Sequence, residues 1–129
     1  MTWLLIGIGG ALGSVARHGL NHWMQSRWFT TFPLGIFVVN VLGSIAIGVV
    51  AGIVVSGRWT ASVEARTFLM VGVLGGFTTF SSFTLDTLTL IRGGHLGYAV
   101  WNVVGQVVLS LVGITAAYQA TVFALSPKP

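Results

Sequence analysis

Gly75-Gly76-Phe77-Thr78-Thr79-Phe80-Ser81-Ser82-Phe83 sits inside a stretch that is otherwise long and apolar enough to cross a bilayer. Two adjacent glycines and four hydroxyl side chains are poor material for an unbroken helix. In hydrocarbon, an unwound backbone is tolerated only where protein buries it or a polar cavity meets it. The segment is therefore expected to break at membrane depth, where freed carbonyls are candidates to hold a cation.

The surroundings of this segment are those of a membrane protein. Only 6% of the 129 residues are charged, against about 25% in soluble domains, and the mean hydropathy is +0.91. Apolar runs bounded by Arg and Pro predict an all-α integral membrane domain with four transmembrane helices, at about 2–20, 33–55, 66–91 and 96–124. The third is the broken one. The first apolar run ends near Ala16 and reaches span length if Arg17 snorkels or faces a wet cavity. No basic residue precedes that run and no small-x-small cleavage pattern follows it, so it is expected to be retained rather than removed as a signal peptide. With no cysteine, the chain forms no disulfide and no thiolate metal site.

The net charge of +4 does not point to nucleic acid, because the six basic residues are scattered along the connections. Four spans would place Arg58, Arg66 and Lys128 on one side and Arg17, Arg27 and Arg92 on the other. The positive-inside rule needs an excess on one side. Either Glu64 or the N-terminus orients the chain weakly, or the chain inserts both ways round and two inverted copies pair. Small residues suit close helix contact: Gly9-x-x-x-Gly13 in the first span, and Ser44, Gly48 and Gly52 in the second.

Polar groups recur at helical spacing within the spans. Asn40, Ser44, Gly48 and Gly52 share one face of the second; Asn102, Gln106 and Ser110 share one face of the fourth. An amide facing lipid leaves donors unsatisfied at a cost of several kcal/mol, roughly. The stripes either hydrogen-bond between helices or form a polar lane for a hydrated ion. Phe77, Phe80 and Phe83 would lie near one another if helical geometry resumes after the break. Aromatic ring edges carry partial positive charge, and Thr79 and Ser82 add hydroxyl donors nearby. Weak, repeated sites of this kind suit conduction, because an ion must leave as well as enter.

Arg17 is expected at the end of its span, as a snorkelling anchor or as a charge that gathers anions at an entrance. Asp86 has no assigned part in conduction. His18, His22 and His95 are expected in or beside connections, with no two at metal-ligand spacing on one helix. Trp3, Trp23, Trp28 and Trp59 fall near span ends, as interfacial anchors do. No nucleophile elbow, zinc-protease motif or phosphate-binding glycine pattern is present, so no enzymatic activity is expected.

Three motifs together carry a resemblance. They are Gly9-Gly-Ala-Leu-Gly-Ser-Val-Ala-Arg17, Pro33-Leu-Gly-x-x-x-Val-Asn40-x-x-Gly-Ser44, and Gly72-x-x-Gly-Gly-Phe-Thr-Thr-Phe-Ser-Ser-Phe83. The chain resembles the Fluc (CrcB) family of fluoride channels over nearly its whole length, and the third motif is the most specific. The resemblance implies a passive fluoride-selective channel that exports fluoride from the cytoplasm across a bacterial plasma membrane. It implies an antiparallel, dual-topology homodimer with two pores. It also implies a structural, non-transported sodium ion at the dimer centre, held by the backbone carbonyls of Gly75 and Thr78. By the same resemblance, Asn40, Thr79, Phe80 and Phe83 line the ion pathway and Arg17 lies in the vestibule. The polar residues Asn102, Gln106 and Ser110 complete the expected pathway.

The chain departs from that pattern in two places. Asp86 stands where many relatives have Glu, and Trp101, Asn102 and Gln106 stand where relatives often have Tyr, Ser or His. A different class, the proton-coupled exporter of small cations or drugs built from four short helices, needs an acidic residue deep in the membrane. The first span has none, and Asp86 is late in the third.

Overall fold

The computed structural model describes residues 2–126. Lys128, one of the charges weighed above, lies outside them. The described chain is helical, in the order α1 (Thr2–Arg27), α2 (Leu34–Val55), α3 (Val63–Thr67), a π-helical stretch (Phe68–Leu74), α4 (Gly75–Phe77), α5 (Phe80–Arg92) and α6 (Leu96–Leu125). Three helical units are long and apolar enough to cross a membrane: Leu34–Val55, Val63–Arg92 and Leu96–Leu125. α1 is also long enough at 26 residues, but polar side chains from Arg17 to Arg27 dilute its hydropathy.

That length corrects two expectations. α1 continues to Arg27 rather than stopping near residue 20, so Arg17 lies well inside a helix. His18 and His22, expected beside a connection and not at metal-ligand spacing on one helix, instead stand four residues apart on the same helix, which is such a spacing, with their rings stacked. Nothing between residues 17 and 27 is a strong helix breaker except Gly19, and Asn21 packs against Gly35 of α2. Tertiary contact holds the extra turns in place.

α2 and α5 both end by turning through a left-handed glycine. Gly57 has φ +67° and Gly94 has φ +77°. The amides of Arg58 and His95 reach back to Ile53 O at 3.2 Å and Leu90 O at 2.8 Å, which satisfies carbonyls that a helix end otherwise leaves free. Ser62 starts α3 by accepting a hydrogen bond from Ala65 N at 3.2 Å.

Packing comes from glycines meeting backbone. Counted from α1, the broken Val63–Arg92 stretch is the third unit, and it runs in the same direction as α1, with Gly9 and Gly13 facing Gly72 and Gly76. A Cβ on Gly9 would stand 2.9 Å from Gly72 Cα, and one on Gly76 would stand 2.5 Å from Gly10 O. α2 and α6 also run parallel: a Cβ on Gly48 would stand 2.5 Å from Ile114 O, and one on Gly52 would stand 2.7 Å from Thr121 Cβ. Gly9, Gly13, Gly48 and Gly52 are thus used in contacts within one chain, where dispersion between close backbones is what helix association in lipid has to work with, while Ser44 bonds back to Asn40 O of its own helix.

Candidate functional site

The third unit comes apart at two residues. Thr78 (φ −80°, ψ 157°) and Thr79 (φ −154°, ψ 118°) are extended, between α4 and α5. The upstream half closes on itself: Thr78 N and Thr78 Oγ1 both donate to Leu74 O, at 3.1 and 3.2 Å. The downstream half opens with Thr79, whose Oγ1 accepts from Ser82 N at 3.2 Å. Phe80 N and Ser81 N, the first amides of α5, have no helical acceptor.

Asn40 of α2 fills the gap. Its Oδ1 accepts from Thr79 N at 2.8 Å and its Nδ2 donates to Thr79 O at 3.0 Å, while Nδ2 also donates to Gln106 Oε1 of α6. Because Thr79 N is taken by Asn40, the Gly75 carbonyl loses the donor that a continuous helix would supply. Gly76 O accepts from Ser14 Oγ at 3.4 Å, and Thr78 O accepts from Arg17 Nη1 at 3.3 Å. Gly43 on α2 makes room for this arrangement, since a side chain there would run into the Thr78 methyl.

Beside the break is an open cleft of about 290 Å³. Asn40 and Ser44 of α2, Thr78 and Thr79 of the break, Phe80 and Phe83 of α5, and Gln106 and Ser110 of α6 line it with Ile47 and Val107. None of these lining residues is ionised. The Phe80 and Phe83 rings lie 5.3 Å apart, tilted by 47°. Phe83 is 8% exposed, and Phe80 is 75% exposed at the open side of the cleft. A cleft so built offers neutral donors, aromatic edges and the positive end of α5 to a small anion.

Several sequence expectations need amendment. Phe77 does not stack with Phe80 and Phe83; it lies across the break, against Gly43. Asn102 does not line the cleft. It is fully buried and ties α5 to α6, donating from Nδ2 to Thr87 Oγ1 at 2.9 Å and accepting from Gln106 Nε2 at 3.2 Å. The α6 stripe is therefore divided, with Asn102 used in interhelical bonding, Ser110 at the cleft, and Gln106 doing both. Arg17 is not a terminal anchor but reaches the broken segment. Asp86 does not line the cleft, and its Oδ2 is buried without a hydrogen-bond partner.

Ser14 and Thr87 were missed from sequence. Ser14 falls one turn after Gly10 and three residues before Arg17, on the face that meets the break. That spacing could have exposed it. Thr87 carries no local signal; only its distance to Asn102 reveals its part.

Residues 4–118 match the family described as CrcB-like protein, Camphor Resistance (CrcB). The chain belongs to the CrcB family. Among the relatives of this CrcB chain, the fluoride-specific ion channel FluC of Opitutus terrae is 49% identical over 93% of this chain and 92% of its own length. Fluoride-specific ion channel FluC 2 of Nitrobacter hamburgensis is 44% identical over 90% and 93%. The FluC protein of Thermus thermophilus is 46% identical over 85% of each chain. With three apolar helical units of spanning length and ion channels among its relatives, the CrcB chain is a multi-pass membrane protein.

Proposed function

We propose that the chain forms a passive fluoride-selective channel, not an enzyme, that lets fluoride out of the cytoplasm across a bacterial plasma membrane. The observation that carries this reading is the uncharged cleft beside the break, in a chain whose relatives at 44–49% identity are named fluoride-specific ion channels. Fluoride is small and strongly hydrated. It enters a pore only where donors replace its water, and it leaves only where no fixed cation traps it. The Ser110 hydroxyl, the second N–H of Gln106 and the ring edges of Phe80 and Phe83 meet both demands as they stand. Asn40 already donates to Thr79 O and Gln106 Oε1, Ser44 to Asn40 O and Thr79 to Ser82 Oγ, and these three would exchange those bonds for the ion. Arg17 raises the positive potential of the vestibule without entering the cleft.

α1 serves as the fourth crossing. It runs beside and parallel to the third unit, as an alternating four-span path requires. Two inverted copies pair, each completing a cleft that a single copy leaves open beside Phe80, for two pores per dimer. The three-against-three basic residues suit such dual insertion.

The donor chemistry at the break fits a hard monovalent cation, which takes neutral oxygen ligands. The Gly75 carbonyl is free of its helical donor, and Thr78 O carries a long bond from Arg17 that a bound cation would displace, because two positive charges repel across one carbonyl. These two carbonyls, doubled by the inverted partner, would hold a sodium ion that braces the dimer centre. When bound, the ion supplies positive charge and rigidity; it is not transported.

The proton-coupled exporter is the weaker reading, because the acid it needs, Asp86, stands outside the cleft. Fluoride efflux from liposomes holding purified protein tests the proposal. Fluoride leaves and chloride stays if it is right. Chloride flux at a comparable rate, or no fluoride flux, overturns it.

A further inference from the structure

We infer that His18 and His22 form a two-histidine site for a divalent transition-metal ion on the flank of α1. Both side chains are exposed, on the same helix, four residues apart. Their rings lie 6.3 Å apart with only 14° between their planes. Residues at this spacing share one face of a helix, and the same spacing in helical His-x-x-x-His metal sites lets both imidazoles bind one ion.

The local chemistry favours an ion rather than an internal contact. Neutral imidazole is the commonest metal ligand, and both rings are exposed, so each is free to turn a nitrogen towards the gap. Metal–nitrogen bonds of about 2.0–2.1 Å need two nitrogens about 3 Å apart, so both rings leave the stack and turn about their side-chain bonds until their in-plane lone pairs converge on one point, a rotation open to exposed side chains. The neighbouring charge, Arg17, points away round the helix to Thr78 O. Asn21, between the two rings in sequence, is turned to Gly35 and to Gln25, whose Nε2 donates to Asn21 Oδ1 at 3.2 Å. Neither competes for the gap. No cluster of three or more His, Cys, Asp or Glu forms among the described residues, so water completes the coordination. Two imidazoles with open positions favour Cu²⁺ over Ni²⁺ and Zn²⁺.

Tag-free protein in detergent, stripped of metal and titrated with Cu²⁺, tests the inference by electron paramagnetic resonance. Expected is one Cu²⁺ per chain coupled to two imidazole nitrogens. His18→Ala and His22→Ala each remove one coupling and weaken binding by more than the about tenfold that losing a group that merely orients a ligand costs, while His95→Ala changes nothing. Both rings are exposed, so the variants keep the fold; circular dichroism verifies this. A wild-type spectrum with a single imidazole, or one that His18→Ala leaves unaltered, overturns the site. The readout is independent of ion conduction.

Discussion

Asn40 clasps Thr79 from both sides of its peptide unit, accepting from its amide at 2.8 Å and donating to its carbonyl at 3.0 Å. One side chain from α2 thus substitutes for helical bonding at the point where the third unit comes apart. The clasp keeps Thr79 extended, leaves the Gly75 carbonyl without its helical donor and turns the first amides of α5 loose.

Replacing Asn40 with Ala should undo this. Thr79 N and O lose their partners in a partly buried setting, at about 1–3 kcal/mol for each group left unsatisfied. Fluoride efflux should be abolished and the thermal midpoint in detergent should fall. A variant that conducts like wild type would show that the clasp is dispensable.

The two phenylalanines at the cleft should separate conduction from stability. Phe80 is 75% exposed and Phe83 is 8% exposed. Phe80→Ile should cripple flux with the dimer intact and should cost less stability than emptying the Phe83 site, since it keeps a branched apolar side chain at a position the single chain leaves open. Phe83→Ala should lose flux and also about 3–5 kcal/mol, the usual cost of emptying an aromatic site in a core. Efflux assays beside thermal melts and size-exclusion profiles measure both.

Gly76 and Gly7 make a matched pair. A methyl on Gly76 would stand 2.5 Å from Gly10 O and 2.8 Å from Gly10 Cα, whereas one on Gly7 meets nothing within 4 Å. Gly76→Ala pushes two backbones apart and should cost about 1–3 kcal/mol or more, with loss of flux. Gly7→Ala should be neutral or stabilising by up to about 1 kcal/mol, from helix propensity alone. Equal melting temperatures for the two would contradict the close approach of Gly76 to Gly10.

Sodium should matter to the assembly rather than to the driving force. Exhaustive exchange of sodium for a large organic cation on both sides of the liposome should sharply reduce fluoride efflux and loosen the dimer. The sign of the sodium gradient should have no effect. Unchanged efflux after full exchange would remove the ion from the Gly75 and Thr78 carbonyls.

Asn102 and Thr87 bond across α5 and α6 at 2.9 Å, and Asn102 is fully buried. A double-mutant cycle with Asn102→Ala and Thr87→Val should return a coupling at or above the average of about 0.6 kcal/mol for interhelical bonds in membranes and no more than the maximum of about 1.7 kcal/mol. Thr87→Val alone should leave fluoride flux near wild type, because Thr87 does not line the cleft.

Much of this was legible along the chain. The apolar runs, the weak helix chemistry of residues 75–83 and the polar face of α2 are local properties, set by hydropathy and by backbone preferences acting over a few residues. The Gly9–Gly13 stripe was visible too, but its partner was not. Gly72 and Gly76 carry the same spacing, and only the crossing of α1 over the third unit shows that the two pairs meet. Where α1 stops is not written locally, because polar side chains from Arg17 onward read as a connection while the helix runs to Arg27. Packing of Asn21 on Gly35 keeps those turns helical, and that places His18 and His22 on one face.

By itself, the sequence determined that the third unit would be weak at its glycines and hydroxyls, because helix propensity is written residue by residue. The tertiary structure alone decided which groups take up the broken bonds. Asn40 finds Thr79 across 39 residues and Gln106 across 66. Such partners are chosen by how far apart and at what rotation the helices pack, and neither quantity is written in the local sequence.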